Sequence, residues 1–247
     1  MKIAPSLHRL GNGLVNSYLV EEAGLVTIID AGVPGYWGDL ARELAAMGRT
    51  LDDVRGVLLT HGHSDHIGFA ERYRRERGGG VWVHELDAAL ARGEVKNPSP
   101  GLGKVRVRPL LDFLVYSARR GALRITSIAE VITFGDGATL DLPGSPRVIH
   151  VPGHTPGSAA LHVPGLDALF VGDALATRAV TTGVTGPRIA PFTADVPQAV
   201  ASLDRLAEIE ARWVLPGHGD PWTDGLQAAL TLTRDSAAPQ PGSDGAN

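Results

Sequence analysis

The chain predicts a mixed α/β (α+β) fold of stacked layers, and three observations carry that expectation. In the first half, short β-branched runs alternate with amphipathic helical stretches. In the second half, short apolar runs follow one another too closely for helices between them, which suits an antiparallel stretch of sheet. The 247 residues include no cysteine, so packing and hydrogen bonds must hold the layers without disulfides.

The elements follow in order. Residues 14–20 read as a strand after the turn signal Gly11-Asn12-Gly13, and 25–29 as a buried strand ending at Asp30-Ala31-Gly32. Leu40, Ala41, Leu44, Ala45 and Met47 give 39–47 helical spacing, with Gly48 as its stop. Residues 54–60 form another buried strand that runs straight into His61. A helix over 68–77 ends at Gly78-Gly79-Gly80; a strand at 81–83 and a helix at 85–92 follow.

The rhythm breaks at about 94–125, which reads as an insertion. It opens with the loop Asn97-Pro98-Ser99-Pro100-Gly101 and continues as a helix over 109–120. Between 92 and 124 lie eight Lys or Arg against Glu94 and Asp112, a basic stretch in a chain of net charge -4. Strands then fall at 131–132, 138–142, 148–151, 159–163 and 168–171. A helix at 196–209 has Asp195 as N-cap, a last strand spans 213–215, and a helix begins near Asp224. Residues 1–235 are expected to make a single domain and the Pro/Gly/Ser-rich 236–247 a disordered tail.

Composition excludes several functions. The net negative charge gives no overall cationic field, so neither nucleic acid nor a membrane surface is an expected partner. The missing cysteines remove thiolate metal sites and a Cys nucleophile. Residues 1–5 lack a signal-peptide apolar core, and no apolar run approaches the roughly 18 residues of a membrane span, so a cytoplasmic protein is expected.

The chemistry concentrates in His61-Gly-His63-Ser-Asp65-His66, where four potential ligands occupy six residues after a buried strand. A loop can aim such side chains at one point, whereas a strand sends alternate residues to opposite faces. One catalytic ion usually takes about three protein ligands plus water, so four are more than one ion needs. His154, Asp173 and His218 each follow a β run beside Gly or Pro, and would complete a second set.

This pattern, His61-x-His63-x-Asp65-His66 followed by Gly-His154, Gly-Asp173 and Gly-His218, resembles the metallo-β-lactamase-fold hydrolase superfamily, with the look of its glyoxalase II-like and lactonase-like branch. The resemblance runs from about Asp30 to His218. It implies a four-layer αββα sandwich with the metals at one sheet edge. It implies one divalent ion on His61, His63 and His154, a second on Asp65, His66 and His218, and Asp173 bridging both. Asp30 matches a position that orients a ligand loop through hydrogen bonds. Zn²⁺ is the expected metal, and Fe or Mn suits the same donors.

Two adjacent cations can share one water and leave hydroxide at neutral pH, which would attack an ester, lactone or thioester carbonyl of a small-molecule substrate. Asp65 is the expected catalytic proton carrier to the leaving group. A bridging Asp173 fits the glyoxalase II and lactonase branches better than the true β-lactamases. Only 29 residues follow His218, too few for the helical domain that gives glyoxalase II its glutathione contacts. The alternatives are a mononuclear iron persulfide dioxygenase using His61, His154 and Asp173, and a nuclease using the basic insertion. Two readings of the insertion stay open. It is a lid presenting Phe113, Leu114 and Tyr116 to an apolar substrate group and arginines to an anionic one, or it packs on the domain or on the partner of a homodimer. Among the other histidines, His150 stands close enough to the His154 loop to support it, while His8, His84 and His162 read as structural or exposed.

Overall fold

The computed structural model of the chain describes residues 1–96 and 104–238. Strands β1 (Lys2–Ala4), β2 (Leu7–Gly11), β3 (Asn16–Glu22) and β4 (Leu25–Ile29) form an antiparallel meander. Strands β5 (Val54–Leu58), β6 (Gly80–His84) and β7 (Ile132–Phe134) extend it in parallel, in the order β1-β2-β3-β4-β5-β6-β7. Parallel neighbours need crossovers. Helices α1 (Tyr36–Ala46) and α2 (Ala70–Arg77) supply the first two. Gly78 closes α2 at φ +66, a left-handed conformation that costs glycine nothing.

The next crossover contains the short α3 (Ala88–Ala91) and α4 (Val107–Arg119). The second sheet has the order β13-β10-β9-β8, from β8 (Arg147–His150), β9 (Ala159–Val163), β10 (Ala168–Gly172) and β13 (Trp213–Pro216). A hairpin of β11 (Ala176–Arg178) and β12 (Thr185–Arg188) stands apart, and α5 (Val196–Ser202) and α6 (Leu226–Ala237) complete the chain.

Period-two alternation in strands buried on both faces makes this a four-layer αββα sandwich. In β3, Leu19 joins Leu40 and Leu44 of α1, while Tyr18 and Val20 point the other way. In β10, Phe170 meets Tyr18 edge-on at 5.4 Å between the sheets, while Leu169 and Val171 pack under Leu226, Ala229 and Leu230 of α6. The core therefore has three parts: helices on the first sheet, sheet on sheet, and the second sheet on its helices.

Several expectations change in detail. Residues 138–142 make an isolated bridge, Thr139 to Arg147, because Pro143-Gly144 turns the chain at once. β7 joins the first sheet parallel to β6 rather than an antiparallel second half. Asp195 caps α5 by accepting from the Gln198 amide at 2.9 Å, but the α-helix stops at Ser202 and continues as a 3-10 turn. Helix α6 extends to Ala237, past the expected start of the tail; the rest of that expected tail, from 239, and the expected loop at 97–101 lie outside the described residues. Among the described residues no helix is long and apolar enough to cross a membrane.

Candidate metal centre

Four loops at the same ends of the strands converge. The loop after β5 brings His61, His63, Asp65 and His66, that after β8 His154, that after β10 Asp173, and that after β13 His218. All seven expected residues come together. Their donor atoms fall into the sets His61-His63-His154 and Asp65-His66-His218, and a third group, His61-His66-Asp173, links the two. Asp173 stands between them: its Oδ2 lies 3.4 Å from His154 Nε2 and 3.2 Å from His218 Nε2, and its Oδ1 lies 3.7 Å from His66 Nε2. Asp65 Oδ2 is 3.4 Å from His218 Nε2.

Four imidazoles are tied back through Nδ1, which leaves Nε2 facing the centre. His66 Nδ1 donates to Asp30 Oδ2 at 2.9 Å, and His218 Nδ1 to the Leu14 carbonyl at 2.5 Å. The Thr193 hydroxyl donates to the Ala190 carbonyl and accepts from His154 Nδ1 at 3.0 Å. Thr60 does the same for His61, donating to Asp30 and accepting at 3.1 Å. Such partners fix tautomer and ring orientation. His63 differs, with its Nδ1 2.9 Å from His154 Nε2.

Asp30 has the orienting place its position suggested. It accepts from the Thr60 amide and hydroxyl and from His66, so one carboxylate aims the whole His61–His66 loop. Its backbone sits at φ +58, and Phe192, beside Thr193, at φ +65. Both are strained conformations next to ligand-orienting groups, where strain tends to collect.

Three positioning residues carried no signal in the sequence. Buried Asp87 accepts from the Gly62 amide at 2.8 Å, the Gly157 amide at 2.7 Å and the Thr155 hydroxyl at 2.7 Å, fastening the His63 loop to the His154 loop. Asn16 donates to the Pro216 and Gly219 carbonyls at 3.0 and 2.7 Å and clamps the His218 loop across the sandwich. Thr193 holds His154. Replacing Asp87 with alanine would strand two buried amides at about 1–3 kcal/mol each, lowering Tm by roughly 10 °C and loosening both loops. A melt of Asp87→Ala within about 2 °C of the parent would remove that clamp.

The cluster fits cations. The Nε2 atoms of His61, His63 and His66 and Asp173 Oδ1 are buried without a hydrogen-bond partner, which a folded chain rarely tolerates. Burial, with the neighbouring imidazoles, holds His61 well below its usual range and brings His154 to about 3. Burial would lower His66 and His218 too. The carboxylates of Asp30, Asp173 and Asp65 outweigh it at His66, bringing it to about 10, and Asp173 and Asp65 bring His218 to about 9. Positive charge is thus held between the acids even without metal.

Those imidazoliums stabilise the metal-free fold fully below pH 6.5, and that contribution is lost as pH rises through 9 and 10. A ligating imidazole must give up its proton, so loading at pH 7 is expected to release about two protons per chain and to tighten as pH rises towards 9. A pH-stat titration of metal-free protein with Zn²⁺ measures this. No release would contradict the assignment of His66 and His218.

A cavity of about 580 Å³ opens beside the cluster, reaching His63 and Asp65 and lined by Leu90, Phe113, Leu114, Ser117, Ile125 and Phe192 among others. The Phe113 ring is 6.1 Å from that of His218. Tyr116 does not line the cavity. Its hydroxyl lies 2.8 Å from Tyr36 Oη instead. The expected arginines are absent from the lining as well: Arg120 bonds Asp39 and Arg92 bonds Glu94. His84 and His150 stack at 4.2 Å, and His150 Nε2 donates to the Pro156 carbonyl, supporting the His154 loop from outside.

A four-layer sandwich with this donor set at its strand ends defines a metal-dependent hydrolase. The chain belongs to the Metallo-beta-lactamase superfamily, whose family description matches residues 10–218. It is 27% identical to the probable metallo-hydrolase YflN of Bacillus subtilis (strain 168), over 89% of this chain and 86% of that one. It is 28% identical to the acyl-coenzyme A thioesterase MBLAC2 of Bos taurus, covering 82% and 72%. Among solved structures, TTHA1623 in a di-iron-bound form superposes with a TM-score of 0.62 at 27% identity, covering 92% and 97%.

Proposed function

We propose that the protein is a dinuclear hydrolase that cleaves an ester, lactone or thioester carbonyl of a small molecule. The observation that carries this is Asp173, a buried carboxylate set between two groups of imidazoles, with the Nε2 atoms of His61, His63 and His66 buried beside it without a hydrogen-bond partner. His61, His63 and His154 would hold one ion, Asp65, His66 and His218 the other, and Asp173 both. Zn²⁺ suits these donors and needs no redox protection; Fe or Mn is the alternative pair. Bound there, the ions would supply an activated water and an electrophile for the carbonyl oxygen.

The chain's own residues do the rest. Asp65 lines the cavity, and although burial alone would raise it, His66 and His218 hold its carboxyl below the usual range. It is therefore an ionised acceptor at neutral pH, placed to take a proton from water and pass it to the leaving group. Leu90, Phe113 and Ile125 exclude water and bind the apolar part of the substrate. The bridging role of Asp173 favours the glyoxalase II-like and lactonase-like branch. The thioesterase name of the bovine relative keeps thioesters within the class. A mononuclear iron dioxygenase would leave buried His66 Nε2 and its set without a task. Nucleic acid and membrane remain outside the proposed partners, and a cytoplasmic location belongs to the same proposal.

The test is metal quantification followed by a panel of lactones, aryl esters, thioesters and a β-lactam. About two ions per chain and hydrolysis of a carbonyl substrate are expected. About one iron with oxygen uptake on a persulfide would replace this reading with the dioxygenase.

A further inference from the structure

Helix α4 crosses the cavity and is held at both ends. Before it, the Arg106 amide donates to the Thr181 carbonyl at 2.9 Å; after it, the Arg120 carbonyl accepts from the Gly35 amide at 2.8 Å. Its inner side carries Phe113 and Tyr116, packed against the first core. Its outer side carries Val107, Leu111 and Leu114, spaced i, i+4 and i+7 and therefore in one row. They are 81%, 55% and 52% exposed. An exposed apolar row of this kind on an α-helix marks a surface that meets something apolar.

Leu114 belongs both to this row and to the cavity lining. The row is thus continuous with the active site, and it extends the apolar surface by about 10 Å from Leu114 to Val107 at 1.5 Å per residue. We infer that α4 is the rail for a long aliphatic chain: the scissile carbonyl lies at His63 and Asp65, and the tail leaves the cavity over Leu114 and runs along Leu111 and Val107. This rests on the hydrolase reading and narrows its substrates to long-chain acyl esters or thioesters. The fixed ends of α4 make the rail rigid, so the tail meets a formed surface and the helix is not ordered at its expense.

Each methylene withdrawn fully from water is worth about a fourfold gain in affinity, and less on an open rail. The metal-loaded protein is given p-nitrophenyl butyrate and p-nitrophenyl decanoate. The decanoate is expected to have the higher kcat/KM by on the order of tenfold to a hundredfold. The double variant Val107→Asn with Leu111→Asn is expected to lower that ratio about fivefold or more. Both positions are exposed, and circular dichroism checks that the fold is kept. In parallel, calorimetry measures dodecanoate binding to the metal-free protein, with weaker binding expected in the variant.

Hydrolysis of both esters with a flat chain-length ratio overturns the inference and leaves the hydrolase reading standing. No hydrolysis of either ester counts against that reading, and the dodecanoate arm then decides the rail: binding unaffected by the substitutions overturns it. If light scattering shows a dimer that the variant converts to monomers, the row is a subunit contact and the inference falls.

Discussion

Asp173→Ala is expected to be the most damaging single change, lowering metal content from about two ions per chain to one or none and kcat/KM by about a thousandfold or more. The reason is its position. Among the described residues, Asp173 is the one carboxylate within 4 Å of imidazoles from both sets, His154 on one side and His66 and His218 on the other. Removing it leaves two cations to repel each other across a pocket with no anion between them. Metal analysis and kinetics on the same sample check this. Asp173→Asn keeps the shape and loses the charge, so its metal content should also fall. Two ions and full activity in Asp173→Ala would end the bridging role.

Gly217→Ala is expected to come next, through a single methyl group. A Cβ on Gly217 would overlap Asp173 Oδ1 and come within 2.5 Å of His66 Cε1. Neither group can swing aside, because both are buried and His66 is bonded to Asp30. The overlap should cost about 1–3 kcal/mol of stability and at least tenfold to a hundredfold in metal affinity. Gly38→Ala is the control. A Cβ there meets nothing within 4 Å, and the position lies inside α1, so the same chemical change should stabilise by about 0.5–1 kcal/mol. Thermal melts with and without Zn²⁺ give both numbers. Equal behaviour of the two variants would mean that the site yields easily to an added methyl.

The two substitutions differ in how visible they were beforehand. Asp173 could be read directly, as an acid after an apolar run and a glycine, in step with His154 and His218. Gly217 stood beside His218 as an ordinary turn glycine; its closeness to Asp173 and His66 exists only once β10 and β13 pair in parallel. The same holds for Asp87 and Asn16. Each is one polar residue in a stretch with no pattern, and each bonds to chain far away, Asp87 to Gly157 and Asn16 to Gly219.

Helix α4 shows where local pattern runs out. Its apolar content was plain, yet spacing alone could not tell the inner side from the outer. Phe113 reaches the cavity, whereas Tyr116 turns to Tyr36, and the row from Val107 to Leu114 faces outward. The hairpin of β11 and β12 was missed because Thr- and Gly-rich residues of mixed burial leave no alternation to read.

What the sequence by itself determined was the layered α/β character, the strand-end loops and the identity of the seven converging side chains. Those features are local: apolar periodicity forms strands and helices, and ligand chemistry is legible where His and Asp end a β run. Tertiary structure alone decided which nitrogens face inward, what Asp30, Asp87, Asn16 and Thr193 hold in place, and which side of α4 meets the cavity. Those depend on contacts between residues 200 or more positions apart, as from Asn16 to Pro216, and no local pattern encodes such a distance.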